Sequence, residues 1–220
     1  MYTGLESRPH DLDDNAEMLE LAILGFLFEQ PLHGYELRTR IAALTGHIRP
    51  IAEGTLYPKI KRMEQAGLLS RRTEPGQAAA PRHVLTLTDA GRTALRARLR
   101  SPEELDVSDE NRWYVVLAFL RHLDDPAAEA AVLRRRLTFL EEPTSFFYER
   151  GRPLSAEDFD DPYRQGMLTI AKATSQAELA WLRKTLRQLE KSDSQAQHAS
   201  ETGATRGTTT QRGQGTASTG

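Results

Sequence analysis

The sequence predicts a mainly α-helical chain with one small β-hairpin, and three observations carry that expectation. Apolar residues recur at spacings of three and four through most of the 220 residues, the period of an amphipathic helix. Between Leu68 and Leu87 the period changes, and two strand-like runs, LLSRRT and RHVLTLT, flank EPGQAAAP, whose Pro and Gly mark a turn. Beyond about Ser192 the chain is Gly, Thr, Ser, Gln and Ala with almost nothing to bury, so residues 192–220 are expected to form a disordered tail.

Residues 1–16 are polar, acidic and Pro-containing, and are expected to be a flexible arm. From Glu17 to Glu29 the run EMLELAILGFLFE is apolar almost all round, as in a helix buried on several sides, and Pro31 ends it. A second helix is expected from Gly34 to Thr45, with Leu37, Ile41 and Leu44 buried and Gly46 as its stop. In the third, Thr55 can cap the start, Pro58 sits in the first turn and Gly67 ends it. Leu56, Ile60 and Met63 form its apolar stripe, leaving Tyr57, Lys59, Lys61 and Arg62 largely outside. After the hairpin, Thr88 is a good N-cap for a helix over DAGRTALRARLR, which runs to Ser101-Pro102. Further helices are expected over Glu110–Leu123, Pro126–Phe147 and Pro162–Lys191. The last places Tyr163, Met167, Ile170, Thr174, Ala177 and Trp181 on one seam, followed after a slip by Leu182, Leu186 and Leu189. Pro143 and RGRPLSAEDFDDP interrupt what would otherwise be one long helical hairpin.

The net charge of -2 conceals a division. Residues 18–100 carry 13 Lys/Arg against 7 Asp/Glu, residues 101–190 carry 12 against 17, and the first 17 residues carry 1 against 5. One segment is basic between acidic flanks, as expected if that part alone meets a polyanion. Without cysteine there is neither a disulfide nor a thiolate nucleophile. No apolar run approaches the ~20 residues of a membrane helix, and MYTGLESRPHDLDD does not read as a signal peptide, so a cytoplasmic protein without membrane contact is expected.

Three helices, a hairpin and a closing helix are the element order of a winged helix-turn-helix. LAILGFL (Leu21–Leu27), HGYEL (His33–Leu37), GTLYP (Gly54–Pro58), RMEQAGLL (Arg62–Leu69) and LTDAGR (Leu87–Arg92) follow one another. Together they resemble the PadR-type transcriptional regulators in order and spacing, over about eighty residues. The remainder resembles the long C-terminal domain of one PadR branch. The implied organisation is an arm (1–16), a winged helix-turn-helix (17–101), a helical dimerisation and effector domain (102–191) and a tail (192–220).

Double-stranded DNA is then the expected partner, and a second copy of the chain, joined through the C-terminal helices, the other. A winged helix-turn-helix reads the major groove with the N-terminal end of its second helix, here Thr55, Tyr57 and Lys59, while Lys61 and Arg62 suit phosphates. Arg71, Arg72 and Arg82 flank the hairpin tip, where a wing would approach the backbone or minor groove, and Tyr35 on the first helix of the pair and His83 after the tip are further expected DNA contacts. Each has a plainer alternative: Tyr57 and Tyr35 as packing residues, Arg62 paired with Glu64, and the wing arginines solvated. His83 departs from the family, which often has two basic residues followed by aromatics after the tip, where this chain has Arg82, His83, Val84 and Leu85.

Nothing in the sequence asks for catalysis, a cofactor or a metal. The six histidines show no H-x-x-x-H pairing, and His33 reads as a turn or helix-start residue rather than a ligand. GxSxG, Walker A and GxGxxG motifs are absent. Trp113 and Tyr114 are either core or the lining of a cavity in which an aromatic effector could stack, as in some PadR relatives that bind phenolic or drug-like compounds. The expected function is that of a homodimeric repressor on an inverted-repeat operator. Two rivals are a winged-helix protein-interaction module that does not read DNA and a small-molecule-binding protein.

Overall fold

The computed structural model describes residues 9–44, 52–74, 82–142 and 146–206, with the backbone alone at 9–15, 82 and 192–206. The expected stop at Gly46, the hairpin tip at 75–81, the break at Pro143 and the tail beyond 206 lie outside the described residues. The chain divides into two compact units, Met1–Phe139 and Leu140–Gly220.

The first unit opens with helix α1, Pro9–Glu29, which begins eight residues before the expected start. Pro9 suits the first helical position, where its missing N–H is no loss. The expected flexible arm therefore contributes a turn or two of helix. Further along, Leu19, Leu21, Ile23, Leu24 and Leu27 are all buried, as a helix apolar on every side requires.

Beyond α1 the chain forms a two-residue strand, β1 (Leu32–His33), and then helix α2 (Gly34–Leu44) with Leu37 and Ile41 buried. Helix α3 runs from Glu53 to Gln65 and buries Leu56, Ile60 and Met63. Each such side chain contributes about 1.5–3 kcal/mol relative to exposure. Its N-cap is Ala52, which makes no side-chain bond, so Thr55 lies in the first turn and does not cap. Pro58 consequently sits inside the helix rather than in its first turn. The C-terminus is closed as expected: Gly67 takes φ +73, with its N–H on the Glu64 carbonyl at 3.0 Å and the Leu68 N–H on the Met63 carbonyl at 3.0 Å.

Strands β2 (Leu69–Glu74) and β3 (Arg82–Leu87) form the hairpin, paired from Leu69↔Leu87 to Glu74↔Arg82. The sheet has three strands in the order β1-β3-β2, because Leu32 and His33 pair antiparallel with Leu85 and Val84. Two residues are too few to leave a period in the sequence, and this strand was not expected. Helix α4 (Asp89–Arg100) starts at Thr88, whose Oγ1 accepts the Gly91 N–H at 3.1 Å and donates to the Gly67 carbonyl at 2.7 Å.

The first unit does not end at residue 101. Helices α5 (Glu104–Ser108), α6 (Glu110–Phe119) and most of α7 (Pro126–Glu141) belong to it, with a 3-10 turn at Leu120–Leu123 between the latter two. Gly25 on α1 meets the Phe119 ring so closely that a Cβ there would stand 2.4 Å from it. A buried charge cluster joins the same elements: Asp106 accepts from Arg112 Nε at 2.9 Å, lies 2.7 Å from Arg112 Nη2 as an ion pair, and pairs with Arg98 at 3.1 Å. Arg98 also reaches Glu17 on α1, and holds that carboxyl below its ordinary range against the opposing effect of burial.

The second unit contains a short hairpin, β4 (Tyr148–Glu149) and β5 (Arg152–Pro153), where the sequence suggested only an interruption. Arg150 and Gly151 form its turn with φ +50 and +79. A 3-10 turn at Ala156–Asp158 follows, and then helix α8, Pro162–Arg206. This helix passes well beyond the expected end at Lys191 into the segment expected to be disordered.

Candidate nucleic-acid interface

Helices α2 and α3 with the β2–β3 hairpin bring four of the ten expected residues, Tyr35, Tyr57, Arg71 and His83, around one exposed hollow. It has a volume of about 340 Å³, an apolar floor of Ile60 and Leu85, and walls that include His33, Tyr35, Tyr57, Arg71 and His83. Tyr57 is 42% exposed, and its ring lies over Gly34, where an added Cβ would stand 3.1 Å from Cε1. The missing side chain at Gly34 is what lets the second helix bring its phenol down beside the first.

Tyr35 is 62% exposed at the start of α2. Its ring stacks on His33 at 6.0 Å and 11°, and its hydroxyl donates to Glu36 Oε1 at 3.3 Å. Glu36 Oε2 accepts the His33 backbone N–H at 3.0 Å, and this bond, with help from the Tyr35 hydroxyl, holds the carboxyl below its ordinary range.

Thr55, Lys61 and Arg62 are exposed along α3 with Tyr57, and Arg62 Nε donates to the Pro58 carbonyl at 3.4 Å. Lys59 differs: its side chain is 13% exposed and ion-paired with Glu20 of α1, a bond that braces α3 against α1. Arg71 is also engaged, through Nε and Nη2 on both oxygens of Glu64 at 2.8 Å. This fork clamps the wing to α3, as a planar guanidinium can and an ammonium cannot. Arg72 is the more exposed of the two arginines described on β2, its side chain 78% accessible and within 2.6 Å of Glu74. Arg82 begins β3 opposite Glu74, and only its backbone is described. His83 is exposed on the wing, and its Nδ1 meets Thr73 Oγ1 at 3.2 Å across the sheet. Arg38 on α2, which sequence reading did not single out, bridges to Glu53 at the start of α3 at 2.8 Å.

Trp113 and Tyr114 are separated. Trp113 is fully buried under the guanidinium of Arg136, 5.5 Å from its ring, and belongs to the core of the first unit. Tyr114, the next residue on α6, points outward and donates to Glu110 Oε1 at 2.7 Å. Successive residues on a helix project about 100° apart, so the two rings do not share one lining.

In the second unit, α8 carries two distinct faces. Leu168, Leu182 and Leu186 are buried, whereas Tyr163, Met167, Ile170, Thr174, Ala177 and Trp181 are exposed, with Ile170 at 69%. The seam expected from sequence is thus a separate outer stripe at alternating spacings of four and three, and Leu182 and Leu186 belong to the other face. Among the described residues no group of three potential ligands could hold a metal, and no helix is long and apolar enough to cross a membrane.

A reading helix, its supporting helix and a hairpin wing define a winged helix-turn-helix protein. Residues 23–97 match the Transcriptional regulator PadR-like family, and this part of the chain is a PadR-like winged helix. Among solved structures, it is similar to a PadR family transcription regulator from hypervirulent Clostridium difficile (25% identity, covering 36% of this chain and 81% of that one, TM-score 0.33). A Streptococcus mutans protein shows 32% identity over 43% of this chain and 76% of its own, TM-score 0.32. Bacillus subtilis PadR, solved in complex with operator DNA, shows 20% identity over 76% and 97%, TM-score 0.38. No curated protein matches the chain.

Proposed function

We propose that this PadR-like regulator is a homodimeric repressor that reads an inverted-repeat operator and is released by a small effector. The observation that carries the reading is the exposed face of α3, where Thr55, Tyr57, Lys61 and Arg62 stand clear of the core stripe Leu56, Ile60 and Met63. Duplex DNA offers closely spaced phosphates and a groove as wide as a helix, which suits cations and a phenol at one helix end. Arg72 would add a phosphate contact from the wing.

Dimerisation is supported by the outer stripe of α8, whose 4-3 spacing is that of a coiled-coil seam. A second copy would cover it and place two reading helices on successive major grooves about 34 Å apart, so the operator has two inverted half-sites. A dimer over two turns of duplex excludes other proteins from that stretch, which is repression. An effector with a preference of a few kcal/mol for a dimer of different head spacing would release the DNA. The test is selection of duplexes from a random library by the purified protein. Enrichment of an inverted repeat with half-site centres one helical turn apart, or a multiple of it, is expected; no enrichment over input would overturn the reading.

A further inference from the structure

We infer that His33 is a positioning residue: it ties the wing to the helix pair, so that the reading helix and the wing arginine meet DNA as one rigid surface. The inference rests on the DNA-reading function proposed above. Three separate contacts converge on this residue. Its backbone N–H is held by Glu36 at 3.0 Å, its ring stacks on Tyr35 at 6.0 Å, and its Nδ1 lies 3.1 Å from the backbone carbonyl of His83. A carbonyl only accepts, so His33 Nδ1 carries the proton and donates.

The bond spans fifty residues of sequence and lands on the wing's inner strand, beside the pairing of His33 with Val84. His83 in turn faces Thr73 on β2, so a chain of contacts runs from Glu36 through His33 and His83 to the outer strand. Only two residues of β1 pair with the wing, and the side-chain bond adds a third tie at its exposed end. A hairpin held this way gives its cation, Arg72, a fixed place relative to Tyr57; a loose one would have to be ordered at the moment of binding, which lowers affinity.

Asparagine tests the geometry, because its amide nitrogen is bonded to Cγ as Nδ1 is, whereas the glutamine amide lies one bond further out. On a selected operator, His33→Ala and His33→Gln are expected to bind about tenfold more weakly, the loss of one well-made hydrogen bond, and His33→Asn within about twofold of the parent. Arg72→Ala is expected to cost about fivefold in the parent and almost nothing in His33→Ala, since a loose wing no longer presents the charge. Nitrogen NMR of the free parent protein at alkaline pH is expected to show His33 in the Nδ1–H form. An Nε2–H form, or additive effects of the two alanine substitutions with no rescue by asparagine, would overturn the proposal while leaving operator reading intact. Failure of the parent to select any duplex would instead overturn operator reading, and this proposal with it.

Discussion

Asp106 is the residue at which one uncharged atom should loosen the whole first unit. Its carboxylate is 2% exposed and faces Arg112 Nη2 at 2.7 Å, Arg112 Nε at 2.9 Å and Arg98 at 3.1 Å, while also accepting the Glu103 N–H at 3.1 Å. Asp106→Asn keeps the shape and an acceptor but leaves the Arg112 guanidinium, 7% exposed, without its close counter-charge. Glu17 stands 3.6 Å away with 42% of its side chain exposed, so it compensates in part. Breaking a buried pair from one side costs about 3–5 kcal/mol, and this partial compensation places the expected value near about 3 kcal/mol. For a unit of this size that is on the order of 10 °C in melting temperature. Urea and thermal unfolding followed by circular dichroism measure it. Replacing both partners, Asp106→Leu with Arg112→Met, should recover most of the loss, because the cost lies in the abandoned charge rather than in the missing pair. A single variant within 1 kcal/mol of the parent, or a double variant no better than the single, would refute the reasoning.

Three other outcomes follow from the same contacts. Lys61→Ala is expected to weaken DNA binding across sequences and reduce the slope of log affinity against log salt by about 1, whereas Lys59→Ala, whose charge is paired with Glu20, should lower thermal stability and leave that slope unchanged. Ile170→Glu, in the exposed stripe of α8, is expected to turn a dimer into a monomer by sedimentation equilibrium with little change in melting temperature, since the residue has no core role in one chain. His122, 11% exposed between Phe28 and Phe119, is held below its ordinary 6.5 chiefly by burial, with Arg121 and Arg96 adding to the effect and Glu29 opposing it. Its folded pKa is depressed, so its stabilising contribution is complete above about pH 6.5 and declines as pH falls below that; His122→Phe should flatten melting temperature against pH in this window.

Much of the fold was legible because its signals are local. Leu56, Ile60 and Met63 at helical spacing, Gly67 at the positive-φ stop and Thr88 as a cap each act through neighbouring residues, and the structure puts them where the sequence did. What depends on distant partners was not legible. Lys59 lies three residues after Leu56 and four before Met63, so it borders the buried stripe, but nothing local reveals that Glu20 awaits it. The Arg71–Glu64 clamp and the Arg38–Glu53 bridge are hidden in the same way. β1 is two residues long, and it exists because β3 offers an edge. At the domain boundary, Ser101-Pro102 does end a helix, but Gly25 against Phe119 and the Asp106 cluster keep the following helices in the same unit. Trp113 and Tyr114 read as a pair because they are adjacent, while a helix sends neighbours to different environments.

The central claim is that α3 and the wing read DNA, and a fluorescence-anisotropy titration tests it most directly. The protein would be titrated onto a duplex from upstream of its own gene and onto a scrambled duplex, each at two salt concentrations. The account predicts tight, salt-sensitive binding with a preference of about a thousandfold or more for the first duplex, and loss of about 1–3 kcal/mol of that preference in Tyr57→Ala. Weak binding equal on both duplexes and indifferent to Tyr57 would contradict it.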